Sequence, residues 1–230
     1  ASIATFVPKD RSLSPMEIRL MCRLMESGAT YPTSRRALRM IRLTLVRKSE
    51  LIEATWSEVA FESATWIIPK QRMKGRNPHV VYLYRQAVDI FVALHTCAAG
   101  SKYVLPSRYD SNRCMSKATL NRVRQIVSER ARAAGLPLEP FTVHDLRRTG
   151  STLLNEIGFN GDWIEKCLAH EDGRSSRSVY NKAEYAEQRR HMLQEWANLI
   201  DAWVDGQTYV PKLMPENVTI PVLSAAVSNG

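Results

Sequence analysis

The amino-acid sequence predicts an α+β fold, mostly helical, with one small antiparallel β-hairpin or sheet. Three observations predict it. Apolar residues recur at helical spacing in one segment after another, and the period switches to that of strands in only two short runs flanking a basic loop. The 230 residues, 44% of them hydrophobic, are also enough to bury a sizeable core without disulfides or metals.

Residues 1–13 read as a linker, after which Ser14-Pro15-Met16-Glu17 matches a capping box with proline at the first helical position. The helix that follows turns Ile18, Met21, Cys22 and Met25 inward and stops near Gly28. A second helix from about Ser34 carries Leu38, Ile41 and Leu45. Beyond Leu51 and Trp56 the runs Ala64–Ile68 and His79–Leu83 are rich in β-formers, and the basic stretch from Lys70 to Pro78 between them predicts a hairpin with a charged tip. Helices are then expected at about 85–98, from Ser116 to Ala134 closed by Gly135, from His144 to Ile157 closed by Gly158, and at about Asp162 to His170. A last helical pattern runs from Ala183 to Val204, with Met192, Leu193, Trp196, Leu199 and Ile200 forming one stripe. The expected organisation is one domain over 14–204 and a C-terminal tail over 205–230 that docks elsewhere, on a neighbouring protomer. The sequence shows no repeats and no low-complexity tract.

Thirty-two Lys and Arg against 23 Asp and Glu leave a net charge of +9, which points to a polyanionic partner. No apolar run approaches the ~18 residues of a spanning helix, and the opening residues lack the basic and apolar regions of a signal peptide, so the expected location is intracellular. Cys22, Cys97, Cys114 and Cys167 are widely separated, with no Cys-x-x-Cys pair, and read as reduced, mostly buried thiols rather than zinc ligands. The chain begins with Ala, which implies processing or a fragment of something longer.

The chemistry lies in five separated groups: Arg47, Lys74, the pair His144 and Arg147, His170, and Tyr180. Taken singly each has a plain reading. Arg47 and Lys74 are ordinary solvated cations, His144 and Arg147 a surface basic cluster at a helix start, His170 a structural histidine, and Tyr180 a half-buried aromatic. In combination they supply what cutting a phosphodiester requires. Arginine offers a planar fork of donors for phosphate oxygens, histidine moves a proton near neutral pH, and tyrosine supplies an oxygen nucleophile. His144 and Arg147 lie three apart, on one helix face whose start Thr142 or Asp145 can cap.

In this order, from the arginine of Arg-Lys-Ser-Glu-Leu through the hairpin lysine, His-Asp-Leu-Arg-Arg-Thr and Leu-Ala-His to the tyrosine, the segments resemble the catalytic domain of the tyrosine recombinases, the phage and genomic-island integrases, over about residues 12–204. Glu50 matches the family's acidic residue three after the first arginine. The resemblance implies a tyrosine-recombinase-like fold and a site-specific DNA recombinase that cuts and rejoins strands through a covalent 3′-phosphotyrosine, integrating or excising a mobile element. It implies Tyr180 as nucleophile, Arg47 and Arg147 as the clamp on the scissile phosphate, Lys74 as general acid, His144 and His170 as further pocket groups, and Glu50 as a buttress. Tyr185 and Lys70 remain alternatives to Tyr180 and Lys74.

Arginine forks can stabilise the charge of a pentavalent phosphorane without a metal, so no cofactor is called for. Arg72, Arg76, Lys117, Asn121, Arg124 and Arg148 are expected to hold DNA, alongside cations such as Arg35, Arg36, Arg39, Arg113 and Arg122, and the helix from Ser116 is a candidate for the major groove. The resemblance further implies a bacterial, nucleoid-associated cytoplasmic location, a homotetramer in the synaptic complex, DNA-bending and excision accessory proteins, and N-terminal DNA-clamping and arm-binding domains ahead of this region. A type IB topoisomerase and a non-catalytic DNA-binding protein of the same fold are the competing readings.

Overall fold

The computed structural model describes residues 11–27, 30–73, 77–169 and 184–214. Eight helices and three short strands are present among them: α1 (Pro15–Glu26), α2 (Pro32–Thr44), α3 (Lys48–Ile52), β1 (Val59–Ala60), β2 (Thr65–Ile68), β3 (His79–Tyr82), α4 (Arg85–Cys97), α5 (Lys117–Ala133), α6 (Val143–Ile157), α7 (Gly161–Leu168) and α8 (Ala186–Asp205). No helix among the described residues is long and apolar enough to cross a membrane.

The first helix begins as its sequence dictates. Ser14 Oγ accepts from the Glu17 amide at 3.3 Å, the Glu17 carboxylate accepts from the Ser14 amide at 3.0 Å, and Pro15 occupies the first turn. Ile18, Met21, Cys22 and Met25 are buried, and α1 packs along α8. Ahead of it, Leu13 sits in the core with its amide donating to Thr149 Oγ1 at 2.9 Å, so the end of the expected linker is fastened to α6.

Helix α2 starts at Pro32, two residues before the expected Ser34, because proline fits the first helical turn. It is the central helix, touching α4, α5, α6 and α8, which is why Met40 and Leu43 are buried along with the expected Leu38 and Ile41. Trp196 of α8 is fully buried and donates its indole N–H to the Arg42 carbonyl at 3.0 Å. Leu45 then ends α2 in the left-handed region at φ 60°.

The predicted hairpin is present, and a third, unpredicted strand extends it: the sheet order is β1-β2-β3, all antiparallel. Register pairs Trp66 with Val81 and Ile68 with His79, so Trp66, Ile68, His79 and Val81 face inward while Ile67 faces solvent. Trp66 packs edge-on against Phe91 of α4 at 5.6 Å. The strand β1 is only two residues long, too short for a period to register in the sequence.

The later helices fall within a few residues of their expected spans, α7 ending at Leu168 rather than at His170 and α8 beginning at Ala186 rather than at Ala183. After α8, Glu195 accepts from the Tyr209 hydroxyl at 2.9 Å and from the Lys212 amide at 2.6 Å, so the first part of the tail lies on its own chain's helix. Residues 215–230 lie outside the described residues. Of the four free thiols, Cys22 and Cys167 are buried, Cys114 is half-buried and Cys97 is exposed.

Elements pack tightly at Gly150 of α6, where an added Cβ would collide with Leu45 Cδ2 and lie 3.5 Å from Trp196 Cζ2. We expect Gly150→Ala to destabilise the domain. Overpacking costs about 1–3 kcal/mol, which on balance outweighs the helix propensity of at most ~1 kcal/mol gained by the added methyl. Denaturant unfolding of the two proteins checks it.

Candidate active site

Arg47 stands two residues beyond the reversal at Leu45, in extended conformation at the head of α3. One carboxylate fixes it twice: Glu50 Oε2 accepts from the Arg47 amide at 2.6 Å and Oε1 from Arg47 Nη1 at 2.7 Å. Glu50 is 2% exposed, so this is a buried acid with a half-buried cation drawn onto it. The pair explains why an acidic residue three after the arginine belongs to the pattern.

Arg147 lies on α6, whose start carries a reciprocal cap: Thr142 Oγ1 accepts from the Asp145 amide at 3.1 Å, and the Asp145 carboxylate from the Thr142 amide at 2.7 Å. Both of the capping residues foreseen in the sequence therefore act. Arg147 is 3% exposed and donates from Nη1 to the Leu45 carbonyl and from Nη2 to the Leu168 carbonyl. Burial first, and the neighbouring Arg47 second, lower its pKa to about 10, so it keeps its charge at neutral pH.

These arginines meet at a cavity of about 460 Å³ whose lining includes Arg47, Lys48, Lys117, Asn121, Thr142, His144 and Arg147. No carboxylate lines it among the described residues. The contrast is a cavity of about 500 Å³ between α1, α2 and α8, where Arg35, Arg36, Arg39 and Arg42 are set against Glu26, Asp201 and Asp205, and Arg39 pairs with Asp201 at 3.1 Å. Unbalanced cations around a recess attract an anion, whereas the second cavity largely neutralises itself. A tetrahedral oxyanion offered to the first cavity would meet two guanidinium forks, with an exposed histidine on its rim.

Arg47, His144 and Arg147 are thus brought together as expected, with Glu50 behind Arg47. Lys117 and Asn121 line the same cavity, while Lys117 also pairs with Glu53 at 2.7 Å. Arg148 pairs with Asp145 at 3.8 Å on its own helix. Arg72 departs from expectation. It donates to the Glu50 carbonyl at 2.8 Å and to the Glu58 carboxylate, which also accepts from Trp66 Nε1 at 3.0 Å, so it braces the Arg47 segment against the sheet from within. Arg35, likewise expected at DNA, donates to the Met25 and Glu26 carbonyls at the end of α1. Lys74, Arg76, His170 and Tyr180 lie outside the described residues. Tyr185, the alternative to Tyr180, sits half-buried against the core at the head of α8.

Two residues of the site region were not foreseen. Lys48, beside Arg47, donates to Asn121 Oδ1 at 3.1 Å, and partial burial together with the nearby Lys117 holds its ammonium below the ordinary lysine value. His79 is buried on β3, and burial, then Arg189, Arg147 and Arg47, push its pKa down to about 3. For His79 only the strand alternation that points it inward was available in the sequence.

Against known proteins, the phage integrase family model matches residues 11–187. Over 202 residues the chain is 34% identical to the prophage integrase IntA of Escherichia coli K12, covering 88% of this chain and 47% of that protein. It is 38% identical over 171 residues to the prophage integrase IntZ of the same strain, covering 74% of this chain and 40% of that protein. The chain therefore spans less than half the length of these relatives. Among solved structures it resembles the Tn1549 transposon integrase in complex with circular intermediate DNA, at a TM-score of 0.61 and 16% identity over 83% of this chain and 67% of that one. A lambda integrase dimer bound to a COC′ core site matches at a TM-score of 0.53 and 19% identity, over 80% and 65%. The fold is that of the tyrosine recombinase catalytic domains. The chain belongs to the phage integrase family.

The buried imidazole generates a pH dependence of stability. Its folded pKa of about 3 lies below the unfolded value of about 6.5, so the unfolded chain takes up a proton first; the contribution is fully present above pH ~6.5 and is lost as the pH falls. Unfolding free energy is expected to drop by roughly 1.4 kcal/mol per pH unit between about pH 6 and 4, relative to His79→Gln, which lacks this proton. Urea titrations of both proteins across that range test the difference.

Proposed function

We propose that this chain is the catalytic domain of a tyrosine-type site-specific DNA recombinase, which cuts and rejoins DNA strands through a covalent 3′-phosphotyrosine and so integrates or excises a mobile element. The observation that carries the reading is the cavity on which Arg47 and Arg147 converge with His144 at the rim, with no carboxylate in its lining among the described residues. The solved neighbours hold DNA, and duplex DNA is the polyanion that a net charge of +9 suits.

In this reading the Tyr180 hydroxyl passes its proton to His144 as its oxygen attacks the scissile phosphorus, while Arg47 and Arg147 hold the non-bridging oxygens, whose negative charge grows in the transition state. The bond to the 5′ oxygen breaks, and Lys74 gives that oxygen its proton. His144 and His170 complete the hydrogen bonding around the phosphate. A 5′ hydroxyl from a second strand then attacks the phosphotyrosine, restores a phosphodiester and frees the tyrosine, with no need for ATP. Glu50 supports this indirectly by fixing where Arg47 points. The catalytic domain covers 14–204, with the tail from 205 onward available to a neighbour in a homotetrameric synaptic complex, assisted by DNA-bending and excision proteins at the bacterial nucleoid. Family membership favours this over a type IB topoisomerase or a non-catalytic DNA-binding protein.

A nicked suicide duplex carrying the element's own attachment core tests the chemistry. The natural full-length protein should form a denaturation-resistant adduct that disappears in Tyr180→Phe and persists in Tyr185→Phe, and Arg147→Ala should slow its formation by about 10²-fold or more. Absence of any adduct while binding is retained would select the non-catalytic reading. A second expectation concerns Lys48, which lines the cavity and pairs with no carboxylate among the described residues: Lys48→Gln should reduce the slope of log K against log salt by about 1, equally on cognate and unrelated duplexes. Fluorescence-anisotropy titrations from low to high salt measure it, and an unchanged slope would remove Lys48 from the interface.

A further inference from the structure

Between α4 and α5 the chain makes a hairpin for which the proposed chemistry has no use. Its base is anchored in the core: Leu105 and Met115 are buried, the Met115 amide donates to the Leu105 carbonyl at 2.7 Å, and Pro106 faces Cys114 across an antiparallel bridge. Its tip is braced from within. The Ser107 amide donates to the Arg113 carbonyl at 2.8 Å, the Arg113 amide to the Asp110 carbonyl at 3.1 Å, and the Ser101 hydroxyl to the Ser111 carbonyl at 2.6 Å. A loop fixed this way holds its outward side chains in set positions, and among these are Arg108 and Tyr109, the latter 90% exposed.

Asp110, the acid of the hairpin, pairs with Arg113 at 3.4 Å, and Arg108 pairs with no carboxylate among the described residues. Instead its guanidinium lies over the Tyr31 ring at 4.1 Å and over the Tyr109 ring at 5.5 Å. Tyr31 immediately precedes α2, so the stack joins two distant segments. An aromatic face attracts the flat side of a guanidinium and fixes its plane, while the N–H donors point outward within that plane. An arginine held by its face therefore keeps its donor edge for a ligand, and that edge matches two oxygens of a phosphate. At the hairpin's base a second cation, Lys102, lies over the Tyr103 ring at 5.2 Å.

We propose that the hairpin is a second point of contact with duplex DNA, where Arg108, held flat on Tyr31, forks onto a backbone phosphate away from the cleavage cavity and Tyr109 lays its ring against the adjoining sugar. The hairpin is continuous with the cavity: from Cys114 at its base to Lys117 in the cavity wall is three residues, at most ~11 Å of chain. Tyr109 is again three residues from Pro106, so tip and cavity fall within one duplex turn of ~34 Å. Contacts to the backbone fix where the duplex lies and carry no sequence information. Tyr31 is a positioning residue that acts through Arg108. The inference rests on the reading that this domain binds DNA.

The test uses the natural full-length protein and a duplex carrying the attachment core, with affinity read by anisotropy from low to high salt. Arg108→Ala should lower the slope of log K against log salt by about 1. Arg108→Lys keeps the charge and loses the plane, so it should hold the slope and still bind about two- to fivefold more weakly. Tyr31→Leu should weaken binding by a similar factor of about two to five, and Tyr31→Phe, which keeps the ring, should restore it. In an Arg108→Ala background the Tyr31→Leu loss should vanish, because the two act as one unit. Photoreactive benzoylphenylalanine in place of Tyr109 should crosslink to the duplex on irradiation. An unchanged slope in Arg108→Ala, a Tyr31→Leu loss that persists without Arg108, or a crosslink to a second protein copy instead of DNA would each overturn the proposal. Catalysis is decided separately: a wild type that binds duplex and forms no adduct loses the recombinase reading while these binding results still judge the hairpin, and a wild type that binds no duplex at any salt overturns both.

Discussion

One buried guanidinium joins the parts of this domain that matter for its chemistry. Arg147 reaches from α6 to the Leu45 carbonyl at the end of α2 and to the Leu168 carbonyl at the end of α7, so three helices meet on a single side chain. An arginine can do this because its fork presents several donors in fixed directions; a lysine ammonium has no such plane. The geometry also requires the unusual backbone at Leu45. A left-handed leucine is costly, yet its reversal turns the carbonyl toward Arg147 and brings Arg47 round to the same side two residues later. Gly150 completes the arrangement, leaving room one turn along α6 for the Leu45 side chain.

Electrostatics then decides what the site is for. Two arginines and two lysines around one recess repel one another, and the fold offsets only part of this with a buried acid. Glu50 pairs with Arg47, and Glu53 takes up Lys117. What remains is positive charge held in place before any ligand arrives. The fold itself assembles the cations, so an entering anion meets donors that need little rearrangement. Burial, and then the neighbouring Arg47, lower the pKa of Arg147 while leaving the side chain charged.

Much of this was legible in the sequence, and the reasons differ by residue. The capping box at Ser14, the proline starts and the inward stripe of α1 are local rules, and local rules survive folding. The hairpin was readable because two short runs rich in β-formers flank a basic loop. Arg47, His144 and Arg147 were recognisable by the order and spacing of their motifs, although nothing in the sequence places them around one cavity. What stayed hidden depends on partners distant in the chain. Arg72 looks like a solvated hairpin cation until Glu58 and the Glu50 carbonyl are seen beside it. Lys48 and Asn121 are 73 residues apart, and His79 is a lone histidine in a strand until Cys167 and Arg189 surround it. The strand β1 exists only because β2 offers it an edge.

The distribution of the site residues along the chain follows from where a mostly helical protein can place polar groups. The middle of a helix satisfies its own backbone and contributes apolar side chains to the core, as α2 does between Leu38 and Leu43. The ends leave amides and carbonyls without partners. The cavity takes its lining from the starts of α5 and α6, through Lys117, Thr142 and His144, and from the head of α3 through Arg47, while the ends of α2 and α7 supply the carbonyls that orient Arg147. Helix starts add partial positive charge on the side where an anion would bind, and helix ends add partial negative charge on the side where the arginine is held. A site of this kind draws its residues from wherever helices begin and stop, which is why its motifs are short, far apart and in fixed order.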